Sequence, residues 1–478
     1  MQSIPLQHKY LRLFIEGEQG LIFCQQRHSL FRLPPLSIAL ILGLDSGVGR
    51  SECLNQVSRA SGLALPEIEP AMDEVWDLYH LASSNSLPRS PQSKSANQPT
   101  FTGSLSRSTA DITSVASSQS SMQTIHYRDG LYFEVLPFKS ATQKKTLSVE
   151  NQGIAPCSES FVTIDFGSIA FRIECQDSDF REMLLALFDR YIRDDNLIRA
   201  PVTVQFQIQS VGIEENNDPQ FQKHYRMLSQ QRIVAHEITF SELMPTIIER
   251  MQILTFQLSA FRFCYHGAAL IKDQQLLLLP GKSGVGKSTL TAYLATKGYQ
   301  VCSDEMIVLD DDFNVLNLPA PLAIKSGAWS VLQAYYPQLA EQPVWQHKDG
   351  RKLKYVWPQS MLPNAGKVNS ASHWCNFQSA DIIAPNYQNE RPLQHEQNNE
   401  QNNKGNMPDS LSANFSSFSV IDMLNLVVAG GYQVGKELSA TDVIDLIGFF
   451  ETIRRGQLSY SSNEAAFHFL SSNTNGKN

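Results

Sequence analysis

Residues 281–289, Gly-Lys-Ser-Gly-Val-Gly-Lys-Ser-Thr, have the composition and spacing of a phosphate-binding loop. Glycines at 281, 284 and 286 let the backbone curl around an anion with its N–H groups inward, and a helix opening at Lys287 adds unpaired donors and a positive dipole end. Lys287 is placed to reach the β- and γ-phosphates of ATP and the Ser288 hydroxyl to hold Mg2+, while Lys282, Ser283, Val285 and Thr289 complete the loop. Residues 275–279 before it read as a buried strand and residues 290–297 after it as a helix, which is the strand–loop–helix setting this chemistry needs.

A pair of carboxylates, Asp304-Glu305, follows only seventeen and eighteen residues after Lys287. The loop helix therefore leads straight into the next strand, 299–302, which delivers both acids beside the phosphates. ATPases that drive motion or transport place their acidic residue much further on. The short spacing suits phosphoryl transfer to a bound acceptor, one carboxylate taking the hydroxyl proton and another helping to hold metal; an exposed acidic turn is the alternative. His266 lies upstream in Tyr265-His-Gly267, where a lone histidine is either a satisfied core residue or a functional one.

Other strings are weaker. Leu44-Asp-Ser-Gly-Val-Gly-Arg-Ser51 lacks the first glycine and the lysine, and reads as a turn between helices. Asp165-Phe-Gly167 has no accompanying kinase motifs and reads as a hairpin turn. The basic stretch 348–354, Lys-Asp-Gly-Arg-Lys-Leu-Lys, could meet phosphate oxygens but reads first as a solvated loop.

The elements that must position these residues follow from composition. The chain has 478 residues, is 42 % hydrophobic and carries a net charge of −8. That excludes a wholly disordered chain and argues against a protein that coats nucleic acid or anionic membrane. Seven widely spaced cysteines without a C-x-x-C pair read as reduced thiols of a cytoplasmic protein, with neither a disulfide framework nor a structural zinc site. No secretion signal opens the sequence, and no apolar run approaches the roughly 20 residues that span a membrane.

Fourteen serines between residues 83 and 121 mark a flexible linker, 83–122, and an Asn/Gln/Glu-rich tract at about 386–410 reads as a disordered insertion. The linker separates a domain at 1–82 from the rest. There, short strands over 10–16 and 20–33 precede three helices: an apolar run from Pro35, a helix capped by Ser51, and one with Ile68, Met72, Val75 and Tyr79 on one face. Its fold is winged-helix-like. Residues 123–244 form an α+β domain, with a hairpin turning at Gly167-Ser168, a helical stripe of Leu184, Leu187, Phe188 and Tyr191, and a strand through Val204, Phe206 and Ile208. A long helix over 245–261 opens the phosphate-loop domain, 245–478. The third helix of the N-terminal domain carries Glu67, Glu69, Asp73, Glu74 and Asp77 without Lys or Arg, which disfavours DNA.

With these residues in view, Tyr265-His-Gly-Ala-Ala-Leu-Ile271, residues 276–289 and Lys297-Gly-Tyr-Gln-Val-Cys-Ser-Asp-Glu305 resemble the catalytic domain of HPr serine kinase/phosphorylase. The resemblance implies an α/β fold of the HPr kinase type, catalytic roles for His266 and Asp304, and Asp304 as general base toward a serine. Thr289 and the Ser-Asp-Glu sequence depart from the bifunctional enzymes, and no downstream E-x-R-G segment is present, so the resemblance carries forward transfer only. The closer likeness is to HPr-kinase-related proteins of bacterial peptide-modification clusters, where residues 319–325, ending in Lys325, also have a counterpart; Lys325 is then either a phosphate ligand or a solvated lysine. Residues 1–82 resemble, more distantly, PqqD-like peptide chaperones, in which a leader peptide adds to a sheet edge. Here that groove would lie between Ser29–Leu33 and the Ile68, Met72, Val75 face.

Together these expectations describe a cytoplasmic, ATP- and Mg2+-dependent serine kinase acting on a peptide or small protein that the N-terminal domain presents. Lys287, His266 and Asp304 would be catalytic, and Ser288 with Glu305 would hold the metal. A homo-oligomer is compatible with the sequence; nucleic acid and membrane are not expected partners. Two alternatives stand beside this one: a nucleotide-gated peptide-binding protein without phosphotransfer, and a kinase of a small metabolite.

Overall fold

The computed structural model describes residues 1–81, 134–136, 139–140, 161–194, 197–198, 200–211, 224–229, 232–281, 284–358, 374–388, 413–429, 432–436 and 438–472. The serine-rich segment, nearly all of the Asn/Gln tract, Lys282 and Ser283 lie outside the described residues. The chain is a mixed α/β protein with several sheets, divided into two compact units, Met1–Thr142 with Phe418–Arg455 and Gln143–Ser417 with Gly456–Asn478. No helix among the described residues is long and apolar enough to cross a membrane.

In the first unit, strands Gln2–Ile4, Leu11–Glu16, Gln19–Cys24 and Ser29–Leu33 form an antiparallel meander. Leu13, Leu21, Ile22 and Phe23 are fully buried, which fixes its register against the helices Pro35–Asp45, Arg50–Ser61 and Leu65–Leu81. Asp45, at the end of the first helix, ties the unit together by accepting from the Gln7 and His8 amides (2.8 and 3.0 Å) and the Tyr79 hydroxyl (3.0 Å). The string from Leu44 to Ser51 does join two helices. Ser51, however, lies inside the second helix, whose N-cap is Gly49.

The sheet edge expected to take a peptide carries a strand of this chain. Strand Glu134–Leu136 of the same chain pairs along Ser29–Leu33, with Leu30 opposite Leu136 and Arg32 opposite Glu134. Ile68, Met72 and Val75 are core residues with no exposed surface. Their helical spacing is that of a buried face packed on the unit's own sheet.

In the second unit, the hairpin Phe161–Asp165 and Ala170–Cys175 turns at Gly167-Ser168, Gly167 supplying the positive φ of 86°. Thr203–Val211 joins in parallel, and His224–Ser229 and Arg232–Thr239 complete a five-stranded sheet. Its core takes in Trp345, Leu353 and Tyr355 from a much later hairpin. The long helix spans Phe240–Leu258, five residues earlier than its apolar pattern implies. Glu242 accepts from both the backbone N–H and the hydroxyl of Thr239 (2.9 and 2.8 Å), a capping contact that sets the start, and Pro245 is accommodated within. Position 244/245, taken as a domain boundary, falls inside this helix.

The larger sheet carries the site. Gln275–Pro280, the strand entering the phosphate loop, lies antiparallel to Phe263–Lys272 on one side and parallel to Ser379–Tyr387 on the other. Leu276 to Leu279 are at most 3 % exposed. Such a continuous apolar run marks a strand buried on both faces. Phe263–Lys272 is long enough to pair twice on its other edge, its first part with Met306–Leu309 and its last with Gln300–Ser303.

Gly267 sits where these strands press together: a Cβ there would lie 2.6 Å from Ile307 Cδ1 and 2.9 Å from the Leu279 carbonyl oxygen. Part of that clash is with backbone, which cannot swing away. Replacing Gly267 with Ala is expected to lower unfolding free energy by about 1–3 kcal/mol, the usual cost of overpacking, as measured by urea denaturation.

Candidate active site

The loop has the conformation its glycines permit. Gly281, Gly284 and Gly286 take φ values of 152°, 97° and 94°. Gly286 leads into the helix Lys287–Thr296, and the Leu290 amide bonds the Gly286 carbonyl at 2.9 Å. A Cβ on Gly286 would come within 3.1 Å of both Tyr387 Cβ and the Tyr460 hydroxyl, so space as well as φ requires glycine. Amides of the helix's first turn have no carbonyl partner within the helix and suit an anion.

The Lys287 side chain folds inward and is buried. Its ammonium lies 2.8 Å from His266 Nε2 and donates to the Gly281 carbonyl at 3.2 Å. Because an ammonium only donates, Nε2 accepts, and the ring proton of a neutral His266 belongs on Nδ1. That nitrogen is 3.6 Å from a Glu305 carboxylate oxygen. Burial lowers the pKa of His266; Glu305 opposes this and Lys287 and Lys325 reinforce it. Lys287 is likewise lowered, first by burial, with Glu305 and Asp304 opposing. The imidazole is therefore neutral at physiological pH.

Asp304 and Glu305 occupy the break between the two strands that share the edge of Phe263–Lys272, and the Gly267 amide bonds the Glu305 carbonyl at 3.2 Å. Adjacent in sequence, the two side chains have opposite surroundings. Glu305 is 40 % exposed beside His266. Asp304 is 7 % exposed and faces the Ser288 and Thr291 hydroxyls, yet neither of its oxygens has a hydrogen-bond partner, and the Thr291 hydroxyl is also unpartnered. Burial first, then the Glu305 charge, pushes the Asp304 carboxyl up to about 7, against the pull of Lys287, Ser288 and Thr291.

His266, Lys287, Ser288, Asp304 and Glu305 thus come together at the loop, with the two carboxylates differently placed from expectation. Asp304, the residue directly after the buried strand Gln300–Ser303, stands by Ser288, while Glu305 is half exposed beside His266. Lys325, at the end of strand Leu322–Lys325, is near enough to depress both His266 and Lys287. The stretch 348–354 begins as the solvated turn expected of it, with residues 348–352 exposed, and ends in a strand. It turns the hairpin Trp345–Gln346 and Lys352–Val356, where Lys354 donates to the Leu339 and Ala340 carbonyls (2.8 and 3.0 Å) and Arg351 bonds Asp349 at 2.6 Å and also feels the Glu305 charge. Thr291, Tyr387 and Tyr460 are the residues at the loop that the sequence does not single out. Only Thr291, one helical turn after Lys287, had a local signal.

Among the described residues the cysteines are free thiols, and no three His, Cys, Asp or Glu side chains cluster as a metal cage. For Mg2+ the fitting donors are the Ser288 hydroxyl and the unpartnered oxygens of Asp304, which are hard ligands of the kind that ion prefers.

A raised carboxyl pKa stores instability. From about pH 4, where the unfolded aspartate ionises, up to about pH 7, the native state binds more protons at Asp304 than the unfolded chain does, so its contribution to stability falls with rising pH. Asp304→Asn is expected to melt higher than wild type at pH 8, with the difference shrinking as pH falls toward 4, measured by thermal denaturation across that range.

No protein-family model matches the chain, and no curated protein matches its sequence. Among solved structures, the HPr(Ser) kinase/phosphatase from Coxiella burnetii aligns with 44 % of this chain and 93 % of its own at 12 % identity and a TM-score of 0.17. So low a score carries no argument, and the reading of the site rests on its geometry.

Proposed function

We propose that the chain is an ATP- and Mg2+-dependent kinase that phosphorylates a hydroxyl, serine in a peptide or small protein being the acceptor that the motif resemblance favours. The observation that carries the reading is Asp304: a buried carboxylate without partners, facing the loop's Ser288 and close to its Lys287. A bare buried carboxylate is costly unless a ligand completes it.

Burial separates the roles of the two acids. Asp304, dehydrated and beside Ser288, would hold Mg2+, which supplies charge neutralisation on the transferring phosphate. Glu305, exposed at the mouth, can meet a hydroxyl arriving from solvent and accept its proton at a carboxylate oxygen, with the His266 Nδ1–H beside it to orient it. Lys287 and the loop amides stabilise phosphate charge, and Lys325 and Arg351 add positive potential. This exchanges the parts expected from the sequence, where the family resemblance makes Asp304 the base and Glu305 is the candidate metal ligand.

Peptide presentation by the first unit would require the incoming strand to displace Glu134–Leu136 from Ser29–Leu33 or to use another edge. The occupied edge favours the second reading, a kinase of a small metabolite that needs no peptide groove.

The test is γ-phosphate transfer from ATP onto peptides encoded beside this gene and onto a panel of small hydroxyl compounds, read by intact mass. Asp304→Asn and Glu305→Gln are each expected to cut turnover by roughly 10²–10⁴-fold. Only Asp304→Asn should also abolish the Mg2+ dependence of ATP binding and the proton release that accompanies it. Nucleotide binding without transfer to any acceptor would replace the kinase with a nucleotide-gated binding protein. Mg2+-dependent binding that survives Asp304→Asn would return the base role to Asp304.

A further inference from the structure

The two edges of the phosphate-loop strand are chemically unlike. His266 and the Asp304-Glu305 turn belong to the antiparallel side, with Phe263–Lys272. On the opposite side runs Ser379–Tyr387, parallel to the loop strand, so both strands end at the same rim of the sheet. Ligands of such sheets bind beyond the carboxyl ends of parallel strands. A nucleotide whose γ-phosphate lies at His266 and Asp304 and whose other phosphates lie in the loop must extend its nucleoside away from the antiparallel side.

Two tyrosines stand there. Tyr387 is the last residue of its strand; its amide lies 3.5 Å from the Val285 carbonyl, and its side chain is 46 % exposed although its Cβ touches the loop at Gly286. Tyr460 is 1 % exposed, and its hydroxyl ends at the same glycine without a hydrogen-bond partner. The two rings are 5.7 Å apart. An exposed aromatic ring fixed to a phosphate loop and a buried, unsatisfied phenol aimed at that loop both call for a ligand that combines a flat π-face with polar oxygens.

We propose that Tyr387 and Tyr460 form the nucleoside subsite of the loop, the Tyr387 ring stacking on the base and the Tyr460 hydroxyl donating to a sugar or α-phosphate oxygen. The inference rests on the reading of residues 281–289 as a nucleoside triphosphate site and deepens it. Stacking is tolerant of base identity because every base has a π-face. The subsite should therefore hold ATP and GTP with similar strength, selecting nucleotides over inorganic polyphosphates without selecting among purines.

The experiment is calorimetric titration of the full chain with Mg2+-ATP, Mg2+-GTP and Mg2+-tripolyphosphate. Tyr387→Ala is expected to weaken both nucleotides about tenfold and leave tripolyphosphate unchanged, while Tyr387→Phe keeps wild-type affinity for all three. Tyr460→Phe should weaken the nucleotides yet melt no lower than wild type, since it removes an unpaired buried hydroxyl and no native bond. Wild-type ATP affinity in Tyr387→Ala, or equal losses for ATP and tripolyphosphate, overturns the subsite while leaving the loop's role intact. Failure of the wild-type chain to bind any of the three overturns the subsite and the nucleotide reading together.

Discussion

A buried ammonium needs acceptors on every side, and Lys287 has too few. Its side chain is 6 % exposed, and of its three N–H donors the described residues engage two, through His266 Nε2 and the Gly281 carbonyl. Much of the site follows from that shortage. His266 must be neutral to accept, which its burial enforces; its proton must then sit on Nδ1, which turns that edge toward Glu305. The strand Phe263–Lys272 is what holds His266 in place, and its double pairing sets the position of Asp304 and Glu305 as well. A phosphate oxygen is the acceptor that would complete the lysine, whose ammonium here lies against the histidine.

Charges of both signs crowd the site around Lys287. Lys287 feels both Asp304 and Glu305, and Arg351, which pairs with Asp349, feels Glu305 as well. Charges brought together in a poorly hydrated pocket shift each other's pKa values. Asp304 shows the effect most plainly. Replacing its surroundings with hydrogen-bond donors would make a more stable protein and a poorer site for a metal-bound phosphate.

The loop was legible in the sequence because its determinants are local: an apolar strand, three glycines whose φ values no other residue takes easily, and a helix start within nine residues. Asp304 and Glu305 were legible as a pair through their short spacing from Lys287. What separates them, one side chain turned toward Ser288 and the other outward, depends on where one strand ends and the next begins along a third, which periodicity does not encode. The long helix began earlier than its apolar pattern because a capping contact between Thr239 and Glu242 decided its start. The Ile68, Met72, Val75 stripe was a real pattern with the blander meaning, a core face. Tyr387 and Tyr460 are distant in sequence from the loop and from each other, and only the order of strands in the sheet unites them.

The first unit is less separable than its composition suggests. Residues 418–455 return to it: the Glu16 carboxylate accepts from the Ile421 amide (3.2 Å) and pairs with Arg455 (3.7 Å), and His28 Nδ1 lies 3.0 Å from the Leu438 carbonyl. The chain therefore passes between the units three times, near residues 142, 417 and 455, instead of once through the serine-rich segment. A module on a single flexible tether gains only effective concentration for whatever it binds. A unit closed by segments about 400 residues apart must form contacts of very high sequence separation, although its core of Leu11 to Leu78 is local in sequence.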